Sequence, residues 1–156
     1  MPFRRLFSKS SQKSPHYYCG KFHNKWDKKD HRSLINFFTL LWKETPGDWP
    51  RWVENKATPN LDTCPDHINI TFLNHASFLI HVDGKYLLFD PVFATKVGPI
   101  PPLGLKRRRP PGMALHELPP IDFVFISHNH YDHLDLHTLR YLSQRDQPKC
   151  IVPLGD

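Results

Sequence analysis

The stretch "SHNHYDHLD", residues 127 to 135, places three histidines and two aspartates in nine positions directly after the apolar run "DFVFI". Imidazole nitrogens and carboxylate oxygens are the donors that borderline transition metals take. His128 and His130 stand two apart, and at the extended end of a strand such residues point the same way, so both rings can reach one ion. Asp132 and His133 follow where the chain turns toward a helix, close enough to hold a second ion. Two ions about 3.5–4 Å apart can activate a bridging water and stabilise the attacking and leaving oxygens of a hydrolysis. The bland alternative is a histidine-rich surface loop, which is far more common for one or two histidines than for H-x-H-x-D-H at a buried strand's exit.

Such a cluster needs a strand before it and a helix after it. "DFVFISH" supplies the strand: its apolar residues run almost without break after Pro120, with Phe123, Phe125 and Ile126 expected in the core. Asp135 can cap a helix whose apolar positions Leu136, Leu139 and Leu142 recur at three-residue spacing, and "KCIVPL" is a further short strand. Strand, helix, strand implies parallel pairing in an α/β layer. Upstream, "INITFLN", "ASFLIHV" and "KYLLFD" read as a β-meander, the last two joined at a "DG" hairpin signal. Residues 91 to 120 form a long Pro/Gly/Arg loop, longer than compact domains usually carry without a use for it.

The first 30 residues are basic and aperiodic, a weakly ordered tail. Over 31–66, "RSLINFFTLLWKE" has helical spacing with Ser33 as a cap, and a Pro/Trp-rich connection follows, which Trp49 and Trp52 should pin onto the domain. Residues 67–156 carry the strands and the cluster.

The chain of 156 residues is long enough for one domain with a real core, and 39% hydrophobic content excludes wholesale disorder. A net charge of +6 favours an anionic partner without choosing among phosphorylated metabolites, membranes and nucleic acid. No nucleic-acid recognition motif accompanies the charge, so no nucleic acid is expected. Cys19, Cys64 and Cys150 form an odd, widely spaced set with no C-x-x-C, which fits a reducing compartment. With no apolar stretch of signal or membrane length, a cytoplasmic protein is expected, at most peripheral at a membrane. G-x-S-x-G and P-loop patterns are absent, as is a cysteine paired with a convincing base.

His128, His130, Asp132 and His133 match the H-x-H-x-D-H signature, and the chain resembles the metallo-β-lactamase-fold hydrolases. "ELPPIDFVFISHNHYDHLD", "FDPVF", "KRRRPP" and "VPLG" resemble the branch of N-acylphosphatidylethanolamine-hydrolysing phospholipase D and ascorbate-phosphate lactonase. The resemblance implies the N-terminal half of an αββα sandwich. It implies two transition-metal ions, zinc before manganese or iron, with His128 and His130 at one and Asp132 and His133 at the other. Asp132 would also orient the attacking water or take its proton.

By the same resemblance Asp90 supports a ligand histidine, against the alternative of an ordinary turn aspartate, and His75 in "FLNHASF" lines the pocket or orients a metal ligand, against that of a hydrogen-bonded structural histidine. The family has glycine where this chain has Asn74, which tolerates a left-handed backbone less well. Lys106, Arg107, Arg108 and Arg109 would draw in a phosphate-bearing substrate, such as a phospholipid at a membrane surface, or else form a solvated basic loop. His116 and His137 are expected on the surface.

The family's second half supplies a third histidine, a bridging aspartate and a last histidine. A phosphodiesterase that needs this C-terminal half, whether in a longer coding region or as a separately made partner, is therefore the leading expectation, and half a sandwich should show an apolar sheet face. The competing expectations are an inactive fragment or regulatory partner that keeps a weak metal site, and a basic RNA- or membrane-binding module.

Overall fold

The computed structural model describes residues 17–18, 21–22, 47–48, 50–56, 59, 61, 67–98 and 104–153. The chain divides into two compact units, Met1–Asp48 and Trp49–Asp156. In the first, β1 (Tyr17–Tyr18) pairs antiparallel with β2 (Lys21–Phe22). The helix expected in "RSLINFFTLLWKE" and the side chain of Trp49 lie outside the described residues.

The second unit is built on a five-stranded mixed sheet. The meander consists of β3 (Asn69–Asn74), β4 (Ser77–Val82) and β5 (Lys85–Phe89). Its second turn is Asp83-Gly84, with φ of 48° and 67°, the doubly left-handed geometry that two-residue hairpins require. Within the following loop, β6 (Lys96–Val97) pairs with β7 (Leu105–Lys106). The chain then adds β8 (Phe123–Phe125) parallel to β5 and, after helix α1 (Leu136–Arg145), β9 (Lys149–Ile151) parallel to β8. The spatial order is β3-β4-β5-β8-β9. This is the α/β architecture expected from the alternation of strands and helix.

Strand alternation sorts the sheet into two faces. Leu73, Leu79, Leu88 and Val124 point to one side, where they are sealed by Met113, Leu118, Ile121, Ile126 and Leu142 into a single core. Gly112 passes so close to β3 that a Cβ there would lie 2.7 Å from the Phe72 carbonyl oxygen, and its N–H donates to Leu73 O.

The opposite face is apolar as well. Cross-strand register aligns Phe72, Phe78, Phe89, Phe125 and Ile151 in one row. Phe89 and Phe125 stack at 4.5 Å, while Phe72 and Ile151 at the two ends are exposed. Phe123 and Phe125, expected beside Ile126 in the core, therefore sit half-buried on this second face, because a run of apolar residues in a strand must divide between both sides.

Two further expectations are corrected. Three-residue spacing advances 300° per step on a helix rather than a full turn. Leu136 consequently rotates out to 65% exposure, and Thr138 and Leu142, four apart, are the buried positions. The 50–55 connection is not held by Trp52, which is exposed. Its bonds run from Val53 N to Arg108 O, from Asn55 Nδ2 to Pro111 O and from Arg109 to Asn55 Oδ1.

Candidate metal centre

β3, β5 and β8 run in one direction, since β3 and β5 are each antiparallel to β4 and β8 is parallel to β5. Their carboxyl ends open on one edge of the sheet, where α/β folds gather ligands. His75 follows β3, Asp90 follows β5, and residues 127–133 follow β8.

Asp90 is the hub. It is buried, with a φ of 40° that few non-glycine residues adopt, a strain that surrounding bonds must hold. Its N–H donates to Phe125 O, and Ser77 Oγ donates to its carbonyl. Its Oδ1 accepts the Ser127 N–H at 2.7 Å, and its Oδ2 accepts Ser127 Oγ–H at 2.6 Å and His133 Nδ1 at 2.8 Å. Burial alone would push this carboxyl up, but the bonds from His133 and Ser127 outweigh it and hold the group below its ordinary value. Asp90, expected either as a turn aspartate or as support for a histidine, is in direct contact with His133.

The strand exit bends back at once: His130 O accepts the N–H groups of His133 and Leu134. That turn brings the His128 and His133 rings to 4.0 Å and the His128 and His130 rings to 4.5 Å. Across from them, His75 Nε2 lies 3.1 Å from Asp132 Oδ2, and His133 Nε2 lies 3.8 Å from the same oxygen. The Asp132 carboxyl stays below its ordinary value, because its own backbone bond and the nearby His133 and His75 offset the cost of burial.

Donor atoms of His75, Asp132 and His133 all lie within 4.8 Å of one another. Two imidazoles and a carboxylate fit a transition-metal ion. With Nδ1 committed to Asp90, His133 offers Nε2 outward, the arrangement by which a carboxylate orients a metal-binding histidine. His75, expected beside the ligands, thus stands in the donor group itself. It also bears the left-handed backbone, with a φ of 40°, whereas Asn74 ends β3 buried with its Nδ2 on Val92 O. The positive φ falls one residue after the position where the family carries glycine.

The four basic residues divide. Arg107 turns inward, its guanidinium spent on the carbonyls of Val92 and Ala94. Arg108 reaches Pro50 O, and Lys106 is exposed on β7. Lys106, Arg107 and Arg109 line a cavity of about 300 Å³ together with His75 and Asp132. His116 and His137 are exposed, as expected.

Two contributions had no sequence signal beyond their neighbours. Ser127 joins Asp90 to both His128 and His133. Asp135, legible as a cap for α1, also accepts the N–H groups of Phe93 and Ala94.

Residues 85–155 match the model of the β-lactamase superfamily domain. The chain is 42% identical over 134 residues to N-acyl-phosphatidylethanolamine-hydrolyzing phospholipase D 1 of Caenorhabditis elegans, an alignment covering 78% of this chain and 37% of that protein. It is 37% identical over 125 residues to cytidine monophosphate-N-acetylneuraminic acid hydroxylase of Mus musculus, covering 78% of this chain and 20% of that one. The chain thus spans well under half the length of these relatives. Igni18, a metallo hydrolase from Ignicoccus hospitalis, aligns with a TM-score of 0.38 and 24% identity, over 53% of this chain and 30% of its own. By the family-model match over residues 85–155, the H-x-H-x-D-H loop and the sequence relatives, the chain belongs to the metallo-β-lactamase-fold superfamily.

Proposed function

We propose that this chain forms the metal-binding half of a phosphodiester hydrolase of the phospholipase D type, using two ions, zinc by preference. The observation that carries this reading is the His133 ring, fixed by Asp90 and aimed into one donor group with Asp132 and His75. His128 and His130 would hold one ion, Asp132 and His133 the other, with further donors coming from a C-terminal half. Metal ions supply Lewis acidity and a water ionised near neutral pH.

The chain's own residues do the rest. Asp132 is ionised, faces the cavity and has His75 on one carboxylate oxygen, so it is placed to receive a proton from the attacking water. Lys106 and Arg109 offer positive charge along the same cavity, which suits a phosphate oxygen. Arg107 braces the lining of that cavity through the Val92 and Ala94 carbonyls. Leu105, 80% exposed beside Lys106, adds an apolar contact of the kind that peripheral proteins lay against anionic lipid. Among the described residues no helix is long and apolar enough to cross a membrane.

The test is zinc stoichiometry by elemental analysis, together with hydrolysis of a chromogenic phosphodiester by the chain joined to a C-terminal half from the nematode relative. About two ions per complex and chelator-sensitive turnover are expected, both lost in a His128→Ala/His130→Ala variant. Zinc retention without turnover in the joined protein would favour an inactive metal-binding partner. Absence of zinc would overturn the reading.

A further inference from the structure

Ser127 Oγ lies 2.6 Å from Asp90 Oδ2, 2.9 Å from His128 Nδ1 and 3.3 Å from His133 Nδ1. A hydroxyl has one proton to give and two lone pairs to receive with. An ionised carboxylate can only accept, and a hydrogen bond to it is about twice as strong as one between neutral groups. The serine proton therefore goes to Asp90, the shorter contact, and Ser127 faces His128 as an acceptor. His128 must then carry its proton on Nδ1, which leaves the Nε2 lone pair outward. His133 is bound by the same logic, because its Nδ1 lies 2.8 Å from Asp90 Oδ2 and has to donate.

From this we infer that Ser127 is a positioning residue that sets the tautomer of His128 and, through the shared Asp90 carboxylate, ties the two halves of the metal centre to one proton arrangement. Asp90 serves His133 directly and His128 only through the serine hydroxyl. Nothing in the H-x-H-x-D-H spacing requires this, since the residue before the first histidine carries no ligand atom. The tautomer assignment stands on the hydrogen-bond chain alone; its value for metal binding rests on the function proposed above.

The consequence is asymmetric. Free histidine prefers its proton on Nε2, the nitrogen that must be bare to bind an ion here. Removing the hydroxyl releases His128 toward that form, whereas His133 keeps its own bond to Asp90.

The test is two-bond 15N–1H imidazole NMR on the metal-free 156-residue chain, at about pH 8.5, above the ordinary histidine range near 6.5. In the unaltered chain both His128 and His133 should be Nδ1–H. In Ser127→Ala, His128 should move to Nε2–H or a mixture while His133 stays, and Ser127→Thr, which keeps the hydroxyl, should restore the original pattern. Zinc affinity, read by competition with a chromogenic chelator, should fall about 10- to 100-fold in the alanine variant and recover in the threonine variant.

His128 found as Nε2–H in the unaltered chain overturns the inference without any variant, whether or not Ser127→Ala folds. So does a His128 tautomer indifferent to the alanine change. Tautomers that follow the hydroxyl in a chain that binds no zinc would support the role of Ser127 and instead sink the metal reading.

Discussion

The Asp135 carboxylate accepts the Ala94 amide N–H at 2.9 Å across forty-one positions of chain, while its other oxygen caps α1 through His137 N and Thr138 N. One side chain thus fastens the exit of the histidine loop to the segment that follows Asp90. The Thr138 hydroxyl closes the clamp, donating to Asp135 Oδ2 and receiving the Phe93 N–H.

Asp135→Ala is expected to destabilise the chain by on the order of 3 kcal/mol, about 1 from the lost cap and the rest from amides left unpaired. Asp135→Asn retains a good capping oxygen and should lose less. Urea unfolding of the two variants checks this. Equal losses under about 1 kcal/mol would show that the clamp is idle.

Acid sensitivity follows from the same group. Burial would raise the Asp135 carboxyl, but bonds from Thr138, Ala94 and Phe93 bring it below its ordinary 3.8. A depressed folded value means that the ionised form is favoured by folding, so its stabilisation is complete above 3.8 and is lost as pH falls through the lower folded value. Asp90 acts in the same sense. Urea midpoints between about pH 2 and 6 should show this fall in the unaltered chain and a shallower one in Asp135→Asn; identical slopes would count against it.

The arginines should separate by phenotype. Arg107→Ala removes bonds to two carbonyls and should cost roughly 2–3 kcal/mol in thermal or urea unfolding. Arg109→Ala, on an exposed side chain, should leave stability within about 0.5 kcal/mol and instead weaken binding of a phosphodiester anion, an effect that shrinks with added salt. Weakened anion binding in neither variant would remove the phosphate role from this loop.

His75→Asn keeps a residue type that accepts a positive φ. It should leave the metal-free fold intact and lower zinc affinity about 10- to 100-fold, the range for groups that ligate or orient ligands. Zinc titration of the variant decides; unchanged affinity would return His75 to a structural role.

Much of this was legible before any fold was drawn. The H-x-H-x-D-H spacing, the period-two alternation of "ASFLIHV", the "DG" turn and Asp135 ahead of the last helix are local signals, each read by the dozen residues around it. They identify the candidate donors of the loop, the meander, the turn and the cap, because backbone preference and side-chain chemistry at those positions depend little on the rest of the chain.

What escaped such reading was how particular side chains from distant segments are used. Sequence leaves Arg107 indistinguishable from Arg109, yet one is a half-buried strut on the Val92 and Ala94 carbonyls and the other is exposed and reaches Asn55. Phe123 and Val124 are neighbours in an apolar run, and only the sheet's pleat decided that one faces the core and the other the second face. His75, Asp90 and His133 are spread over 59 positions and meet because three strands pointing the same way end at one edge. The sequence alone determined which residue types with metal-donor atoms stand close together along the chain. Strand direction and register, which are set by packing the whole sheet at once, decided which of them face each other.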